Sequence, residues 1–465
     1  MTVKHFTFRS GKKISALFFL LLFFSSFIQI TGQQRVWIKI LSTTDLHGHI
    51  SPTDYYTNKP DSLGLACVAE IIKNERTANP DALLVDSGDT IQGTPLVYYH
   101  NIKNNAPVDP MMLVMNALKY DSMAVGNHEY NFGLKVLGKA RREAAFPWLS
   151  ANTYQAGTDQ TFYQPYLIKE VRGVRVGLLG LSTPGIPTWE NKENYRGLEF
   201  RDPLPEAKKW VARLREEEKV DLVVITMHMG LEADLATGEK TPGQVENENA
   251  AIAIAKEVPG IDLILMGHTH REIPSLTING VLIAQAAMWG RRIVSADIYL
   301  DRDAMSKKWR VVAKQSRTIP VDNKVKPDAE ILKLVEPYAA ETQKWLSKSI
   351  GVSAKDLSAK DGRFEDTALL DLINRVQLEA GKAQVSMAAN FNPGAAIKKG
   401  NITVRDISAL YVYENTLVVI EVTGAQLKAA LEHSAKYFRV FEPGKTPPDL
   451  VDPKIPGYNF DVAEG

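Results

Sequence analysis

Six of the nine histidines in this 465-residue chain lie in five short blocks that also contain aspartate and asparagine. The blocks read Asp45-Leu46-His47-Gly48-His49, Gly88-Asp89, Gly126-Asn127-His128-Glu129, Met227-His228 and Gly267-His268-Thr269-His270. Carboxylate, amide and imidazole groups are the side chains that bind divalent cations of borderline and hard character. Five such blocks, each at the end of an aliphatic run, indicate a hydrolase that uses two metal ions.

The spacing within the blocks predicts how two ions would be held. Asp45 and His47 are two residues apart, so in an extended segment they face the same side and can chelate one ion. His268 and His270 have the same spacing and can reach two adjacent ions. Asp89 is the expected bridge, because a carboxylate shared by two cations reduces their mutual repulsion.

Asn127 and His228 complete the predicted ligand set with an amide oxygen and an imidazole. Two bound cations lower the pKa of bound water and spread the charge of a phosphoryl transition state. His128 adjoins Asn127 without being a predicted ligand, and we expect it to protonate the leaving alkoxide. For His49 the sequence is compatible with two positions, one behind the metal ligands and one exposed to solvent.

Each block also has an ordinary structural interpretation. An Asp-x-His segment alone is commonly a turn with an exposed histidine, 268–270 alone is compatible with a surface loop, and 126–129 alone with a helix cap. Their joint occurrence at predicted strand ends makes these interpretations improbable. The remaining histidines, His5, His100 and His433, are predicted to be structural or surface residues.

The elements that must position these blocks can be predicted from the hydrophobic pattern. Short β-branched and aliphatic runs bounded by Gly, Pro and Asp predict strands buried on both faces, at 36–41, 82–85, 122–125, 174–181, 222–226 and 261–266. Helical periodicity lies between them, at 65–77, 110–119, 133–145, 203–219 and 246–258. Alternating strands and helices predict a layered α/β domain whose strand ends form one ligand-binding rim.

Residues 1–32 are predicted to be a secretory signal peptide. Lys4, Arg9, Lys12 and Lys13 precede an apolar stretch at 14–30, and small and polar residues follow. The alternative is an uncleaved signal anchor, since the apolar run is long for a cleaved signal. Cleavage predicts a periplasmic or secreted protein without a stable membrane anchor.

The composition of the chain excludes one class of function. Without residues 1–32 the chain has 51 basic and 54 acidic side chains, a net charge of −3, which excludes the basic surface typical of proteins that bind polymeric nucleic acid. The length favours two domains, and we expect a monomer. The single cysteine, Cys67, lies on a predicted helix and is expected to pack in the core.

The five blocks resemble the calcineurin-like metallophosphoesterase family, whose pattern reads D-x-H, G-D, G-N-H-E, H and G-H-x-H. Over residues 35–465 the chain resembles the secreted bacterial 5′-nucleotidases and their relatives. That resemblance implies a four-layer αββα metallophosphoesterase domain and a smaller α/β substrate-binding domain. It also implies two sets of metal ligands that share Asp89. One set is Asp45, His47, Asp89 and His270, and the other is Asp89, Asn127, His228 and His268.

Within that group the chain looks most like the bifunctional 2′,3′-cyclic-nucleotide 2′-phosphodiesterase/3′-nucleotidase branch. The segments that carry this likeness are 43–47, 54–56, 91–96, 287–290, 410–417 and 458–461. Many 5′-nucleotidases have an aspartate that orients the catalytic histidine where this chain has Asn131. The amide can still accept a hydrogen bond from His128, although it would support a protonated ring less strongly than a carboxylate.

The domain boundary is predicted from a helical pattern at 327–348, which follows a β-rich stretch at 281–320. We therefore expect a signal peptide at 1–32, a metallophosphoesterase domain at 33–325, an interdomain helix at 326–349 and a C-terminal domain at 350–465. In the last, 367–379 is a predicted helix and 416–422 a predicted strand. The chain ends within a motif that family members continue, so we expect this domain to be incomplete.

Aromatic side chains of the C-terminal domain are candidates for stacking on a nucleobase, a contact worth about 1–3 kcal/mol per base. Tyr413 and Tyr458 are the first candidates, and Phe460 is an alternative for the second position. For Tyr411 a half-buried strand position is an equally good interpretation.

The expected function is hydrolysis of 2′,3′-cyclic nucleotides to 3′-nucleotides, and then to nucleosides and phosphate, for nucleotide salvage. The cofactors would be two divalent ions drawn from Zn, Mn, Fe and Co. The first alternative is a 5′-nucleotidase or nucleotide-sugar hydrolase. The second is a surface scaffold that binds nucleotides without catalysis.

Overall fold

The structure is a computed structural model, and it describes residues 1–2, 34–241, 245–410 and 415–465. The predicted signal peptide and His5 therefore lie almost entirely outside the described residues. Within the described ranges, no helix has the length and apolar character needed to cross a bilayer.

The strands are numbered in chain order. They are β1 (Arg35–Thr43), β2 (Thr53–Asp54), β3 (Lys59–Pro60), β4 (Leu83–Asp86), β5 (Ser122–Ala124), β6 (Trp148–Leu149), β7 (Thr153–Gln155), β8 (Tyr166–Val171), β9 (Val174–Ser182), β10 (Leu198–Phe200), β11 (Leu222–His228), β12 (Leu263–Met266), β13 (Ile273–Ile278), β14 (Val281–Gln285), β15 (Arg292–Arg302), β16 (Trp309–Pro320), β17 (Ser349–Ser353), β18 (Leu357–Ser358), β19 (Ser386–Ala389), β20 (Ala396–Ile397), β21 (Gly400–Thr403) and β22 (Asp461–Glu464).

The α-helices are numbered in the same way. They are α1 (Leu65–Ala78), α2 (Pro95–Tyr98), α3 (Pro110–Ala117), α4 (Gly133–Glu143), α5 (Ile186–Trp189), α6 (Pro203–Glu216), α7 (Ala251–Glu257), α8 (Ala329–Leu346), α9 (Ala368–Gly381), α10 (Val404–Ser408) and α11 (Gly424–Ala435). One π-helical turn, Tyr99–Lys103, extends α2, and short 3₁₀ turns include His128–Tyr130 and Lys192–Tyr195.

Two six-stranded sheets form the N-terminal part of the molecule. The first has the order β16-β15-β1-β4-β5-β6, and β1, β4, β5 and β6 run parallel. The second has the order β13-β14-β12-β11-β9-β8, and its four central strands run parallel. Antiparallel strands lie only at the margins of these parallel blocks, so the carboxyl ends of the central strands share one rim.

The sheets pack face to face and each is covered by helices. In β4, Leu83 and Val85 point between the sheets, whereas Leu84 packs towards the helices. This alternation follows from the two-residue period of a strand, and both faces are apolar because both are buried. Helices α1, α3, α4 and α8 cover the first sheet, and α6 and α7 cover the second. The predicted four-layer αββα arrangement is confirmed.

The predicted strands and helices of this region all occur, with ends that differ by a few residues. The largest difference is at α7, which begins at Ala251 instead of near 246. Cys67 lies on α1 and is buried in the core, as predicted.

After α8, the residues that the structure describes form a smaller region of three two-stranded antiparallel sheets and three α-helices. Helix α8 itself packs on the core of the first sheet through Ile331, Val335 and Leu346. Helix α9 agrees with the prediction at 367–379. The predicted strand at 416–422 is wrong, because residues 415–423 form no strand in the structure. Apolar β-branched residues such as Val418 and Ile420 favour an extended chain, but a strand also needs a hydrogen-bonding neighbour, and these side chains are exposed.

Candidate metal centre

The five blocks lie at one rim, formed by the carboxyl ends of parallel strands from both sheets. Strand β1 leads to Asp45, β4 to Asp89 and β5 to Asn127 in the first sheet. In the second sheet β11 ends at His228 and β12 leads to His268. The loops are tied together, since Asp45 N–H donates to the Gly88 carbonyl at 2.9 Å.

The predicted ligands form two compact groups. Ligand atoms of Asp45, His47 and His270 lie within 4.8 Å of one another. The same holds for Asp89, His228 and His268. The division agrees with the two ligand sets implied by the family resemblance.

Asp89 lies between the two groups. Its Oδ2 is 2.9 Å from His228 Nε2 in one group and 3.8 Å from His47 Nε2 in the other. Its Oδ1 accepts a hydrogen bond of 2.8 Å from the His128 backbone N–H, which fixes the rotation of the carboxylate. A single oxygen therefore faces both groups, as a bridging ligand requires.

In the first group three ligand atoms converge on a small space. His47 Nε2 and His270 Nε2 are 3.1 Å apart, and His270 Nε2 is 3.4 Å from Asp45 Oδ1. His47 Nδ1 lies 3.1 Å from the Gln92 carbonyl oxygen, to which it can donate, so Nε2 is the nitrogen directed at this space. Thr44 Oγ1 donates to Asp45 Oδ2 at 2.7 Å and holds the carboxylate in place.

The second group is oriented by hydrogen bonds on the far side of its rings. His228 Nδ1 lies 2.7 Å from the Ser87 carbonyl oxygen, which directs Nε2 towards Asp89. His268 Nε2 lies 2.8 Å from Glu248 Oε1, which leaves Nδ1 as the ligand atom. Metal-binding histidines commonly donate their second nitrogen to a carboxylate or carbonyl in this way.

Two buried polar atoms at this site support a bound cation. Asn127 Oδ1 and His228 Nε2 have no hydrogen-bond partner, although each is shielded from solvent. The 2.9 Å contact of His228 Nε2 with Asp89 therefore lacks the direction of a hydrogen bond. Buried polar atoms are normally satisfied, and orphaned ones call for an ion or water. An amide oxygen and an imidazole nitrogen beside a carboxylate fit a divalent cation.

Five predicted ligands have left-handed backbone conformations, which side chains other than glycine rarely adopt. Their φ angles are 50° for Asp45, 47° for His47, 62° for Asp89, 71° for His268 and 56° for His270. Each such residue costs about 1–3 kcal/mol and persists where surrounding contacts hold it, commonly at functional sites. Sharp turns of this kind direct the side chains inwards at the strand ends.

The electrostatics of the site favour positive charge next to Asp89. Burial raises the pKa of Asp89, but the imidazoles of His228 and His128 outweigh it and hold this pKa well below its ordinary value. Burial lowers the pKa of His228, but the Asp89 carboxylate outweighs it and raises that pKa to about 10. For His47, burial dominates and lowers the pKa to about 3, so the ring is neutral at neutral pH and has a lone pair to offer.

Glu129, at the end of the Gly-Asn-His-Glu block, was not predicted as a site residue, yet it holds the Asp89 loop. The fully buried carboxylate accepts backbone hydrogen bonds from Asp89 at 2.9 Å, Thr90 at 2.6 Å and Gly126 at 2.7 Å. Three donors directed at one carboxylate leave little freedom for the loop. The signal for Glu129 was present in the block, whereas nothing local marks Glu248, which lies 20 residues before His268.

His128 faces the rim beside the ligands without joining either group. Its ring centroid is 5.1 Å from that of His47, and its Nδ1 is 2.6 Å from Asn131 Oδ1. The predicted contact between His128 and the amide is therefore present. His49 is half-buried, and its ring stacks on that of Trp289 with the centroids 4.9 Å apart.

Of the three predicted nucleobase contacts, Phe460 is the one whose side chain the structure describes. Tyr413 falls in 411–414, outside the described residues, and the side chain of Tyr458 is likewise not described. Phe460 stacks on Tyr437 at 5.2 Å and meets Phe438 edge to face, so its described contacts are internal packing. Their role in substrate binding stays a prediction.

Comparisons with known proteins identify the families to which this chain is similar. The profile of the calcineurin-like phosphoesterase family matches residues 38–272, and the profile of the 5′-nucleotidase C-terminal domain matches 349–451. The chain is 30% identical to a 2′,3′-cyclic-nucleotide 2′-phosphodiesterase/3′-nucleotidase of Haemophilus influenzae, over 97% of this chain and 76% of that protein. It is 32% identical to the Salmonella typhimurium protein of the same name, over 92% and 73%.

A solved structure has a similar fold over most of its length. It is a Staphylococcus aureus protein in complex with α-ketoglutarate, provisionally named a 5′-nucleotidase. The TM-score is 0.79 at 28% identity, with 92% of this chain and 82% of that chain covered.

Proposed function

The chain belongs to the calcineurin-like phosphoesterase family, and we propose that it hydrolyses nucleotide phosphoesters at a dimetal centre. Its substrates would be 2′,3′-cyclic nucleotides, opened to 3′-nucleotides, and then the 3′-nucleotides, converted to nucleosides and phosphate. The names of relatives that align over nearly the whole chain support this order of reactions. The proposed role is nucleotide salvage.

Calcineurin-like phosphoesterases use a dimetal centre, and the ligand groups of this chain fit one. Asp45, His47 and His270 would hold one ion, Asn127, His228 and His268 the other, and Asp89 both. Two bound cations would supply Lewis acidity at the phosphoryl group and activate a water molecule for attack. Mixed imidazole, carboxylate and amide ligands accept Zn, Mn, Fe or Co.

The observation that carries the proposal is the position of Asp89 Oδ2, which faces an imidazole nitrogen of each group. A buried carboxylate is costly unless it is paired with positive charge or coordinates a metal ion. An ion pair inside the protein would require one cationic neighbour of Asp89. A bridging ligand requires metal-binding groups on both sides of the same carboxylate, and the imidazoles of His228 and His47 are placed there.

His128 is the group placed to move a proton during the reaction. Attack on phosphorus breaks the P–O bond to the sugar, and the leaving alkoxide needs a proton that His128 would donate. Asn131 accepts a hydrogen bond from Nδ1, so Nε2 is the nitrogen that carries the transferred proton.

The direct test compares turnover of 2′,3′-cyclic AMP, 3′-AMP and 5′-AMP by the mature chain with each metal added in turn. We expect the first two to be hydrolysed faster than 5′-AMP. Preference for 5′-AMP would instead support a 5′-nucleotidase, which the structural similarity to the Staphylococcus aureus protein favours as the second candidate. Well under two metal ions per chain with no turnover would indicate a non-catalytic scaffold.

The cellular location of the protein is a separate proposal. The basic and apolar pattern of 1–32 supports export to the periplasm or the medium. Fractionation of cells that express the full chain tests it, and retention of the protein with residues 1–32 in the cytoplasm would contradict it.

A further inference from the structure

The contact between His128 and Asn131 continues to a carboxylate far away in sequence. Asn131 Nδ2 donates a hydrogen bond of 2.5 Å to Glu190 Oε1, 59 residues further along the chain. Glu190 directly follows α5 and is half-buried. The three side chains therefore form a line from imidazole to amide to carboxylate.

The chemistry of these groups settles which way the amide faces. A carboxylate only accepts hydrogen bonds, so the Asn131 group that meets Glu190 must be the NH₂. The Asn131 oxygen must then face His128, at the observed 2.6 Å, and it can only accept. His128 Nδ1 must accordingly carry a hydrogen. The carboxylate thus selects the tautomer of a ring that it does not touch.

Asn194 holds Glu190 from the other side. Its Nδ2 donates to Glu190 Oε2 at 2.7 Å and to the Asn131 backbone carbonyl at 3.1 Å. Both oxygens of Glu190 therefore accept from amide groups. Among the ion pairs of the described residues, none joins Glu190 to a lysine or arginine. Its negative charge is directed at the amides instead of being neutralised by a cation.

We propose that Glu190 is a positioning residue, which fixes the Asn131 amide with its oxygen towards His128. Glu190 and Asn131 together replace a carboxylate in direct contact with the imidazole. The inference rests on the proposed function for its kinetic test, since His128 is the proton donor of that reaction. It adds a residue that lies outside the metal-binding blocks.

The hydrogen-bond pattern predicts that combining two harmful substitutions, Glu190→Gln and Asn131→Asp, restores the activity that each one alone reduces. In Glu190→Gln one oxygen becomes an NH₂ that must face an amide donor, either Asn131 or Asn194. In Asn131→Asp two carboxylates face each other at the former 2.5 Å contact. In the double variant the glutamine NH₂ donates to the aspartate, and the glutamine oxygen accepts from Asn194. Every donor again meets an acceptor.

The kinetic test measures 3′-AMP turnover by both single variants and by the double variant. We expect each single variant to lose roughly tenfold or more in kcat, part of the 10²–10⁴ that positioned proton transfer contributes. The double variant should recover to within about threefold of the parent, because contacting residues are not additive. Losses should be small for an aryl phosphate, whose leaving group needs little protonation. Metal content should stay at the parent value in all variants.

The matched control is Glu193→Gln, which makes the same charge change three residues away. Glu193 is largely exposed and pairs with Arg196, so this variant should behave like the parent. Equal effects of Glu190→Gln and Glu193→Gln, or a double variant no better than Asn131→Asp, would overturn the proposal.

A spectroscopic measurement separates this proposal from the proposed substrates. In the ¹⁵N NMR spectrum of the zinc-loaded protein, the His128 ring should carry its hydrogen on Nδ1, and Glu190→Gln should weaken that signal. The resonance is assigned by its absence in His128→Gln. Absence of nucleotide turnover in the parent would reject the proposed function while leaving this readout intact. A His128 ring without hydrogen on Nδ1 in the parent would reject the role of Glu190.

Discussion

Asp89 Oδ2 lies 2.9 Å from His228 Nε2, although Asp89 follows a strand of the first sheet and His228 ends a strand of the second. The contact crosses the rim where β4 of the first sheet and β11 of the second end. A cation held by both residues would therefore connect the two sheets as well as the two ligand groups. The metal centre and the packing of the sheets should respond to each other.

Asp89→Asn should abolish nucleotide turnover and lower the metal content below two ions per chain. An amide oxygen carries no net charge, so the repulsion between the two cations is no longer reduced. Metal analysis and turnover measure the two effects, with the exposed Asp159→Asn as control. Full metal content with near-normal turnover would show that Asp89 is not the bridge.

His128→Ala should keep both metals and lose roughly 10²–10⁴-fold in turnover of 3′-AMP, because the leaving alkoxide lacks its proton donor. The loss should shrink for an activated aryl phosphate. The exposed His433→Ala is the matched control and should change neither value. Equal losses on both substrates, or loss of metal, would reject the assignment of a general acid.

Gly126→Ala should disrupt the Asp89 loop without replacing any ligand residue. A Cβ at this position would lie 2.2 Å from Asp89 Oδ1 and 2.7 Å from its backbone nitrogen, so the loop must shift. We expect lower metal affinity, measured by titration of the metal-free protein. Gly424→Ala, whose Cβ meets nothing within 4 Å, should bind metal like the parent. Parent-like affinity in Gly126→Ala would show that the loop accommodates the shift.

Removal of metal by a chelator should lower the thermal unfolding midpoint of the parent. Ligands that bind only the folded state stabilise it by about 2.7 kcal/mol when their concentration is 100 times the Kd. Asp89→Asn should show a smaller difference between its metal-supplied and chelated midpoints. If the chelator lowered the unfolding midpoint equally in the parent and in Asp89→Asn, the stabilising ion would be bound at a site that does not include Asp89.

His100→Gln should reduce the loss of stability in mild acid. Burial lowers the pKa of His100 to about 4 in the folded chain, below its ordinary 6.5. The folded state therefore resists protonation, and its stability falls as the pH drops from about 6.5 towards 4. The Oδ2 atom of Asp109 is 3.9 Å from the ring, and burial raises the pKa of this carboxyl group to about 6. Protonation of Asp109 therefore favours the folded state as the pH falls, which opposes the effect of His100.

Denaturant unfolding at pH 7 and pH 5 tests the prediction for His100. Relative to the parent, the variant should lose less stability between these values, by on the order of 1–2 kcal/mol. Lys139 lowers and Glu143 raises the pKa of His100, so both effects are part of what the substitution removes, whereas the titration of these two side chains themselves is common to the parent and the variant. Equal losses in both proteins would mean that His100 does not titrate in this range.

Several features could be predicted from the sequence because they depend on short stretches of chain. The buried strands and their helices follow from hydrophobic periodicity, and the ligand blocks follow from residue type at strand ends. Parallel strands of one sheet end at one rim, so Asp45, Asp89 and Asn127 could be grouped without coordinates. Glu129 could have been included, since it lies in a quoted block.

Other features depend on how distant segments pack, and no local pattern encodes them. Glu190 reaches Asn131 across 59 residues, and Glu248 reaches His268 across 20. The left-handed conformations of five ligands arise from the surrounding contacts, because isolated aspartate and histidine do not prefer them. The segment 416–422 shows the same limit, since its apolar pattern favours a strand and only a neighbour decides whether one forms.

Residue type and period alone predicted a layered α/β domain and the ligand atoms available at its rim, and the family resemblance added the four-layer arrangement. The tertiary structure decided which ligand atoms lie together, which nitrogen of each ring faces the space between them, and which carbonyl and carboxylate oxygens hold the rings from behind. The physical reason is distance. Coordination and hydrogen bonding act over about 2–3 Å, and only the packing of both sheets brings Asp89 and His228 that close.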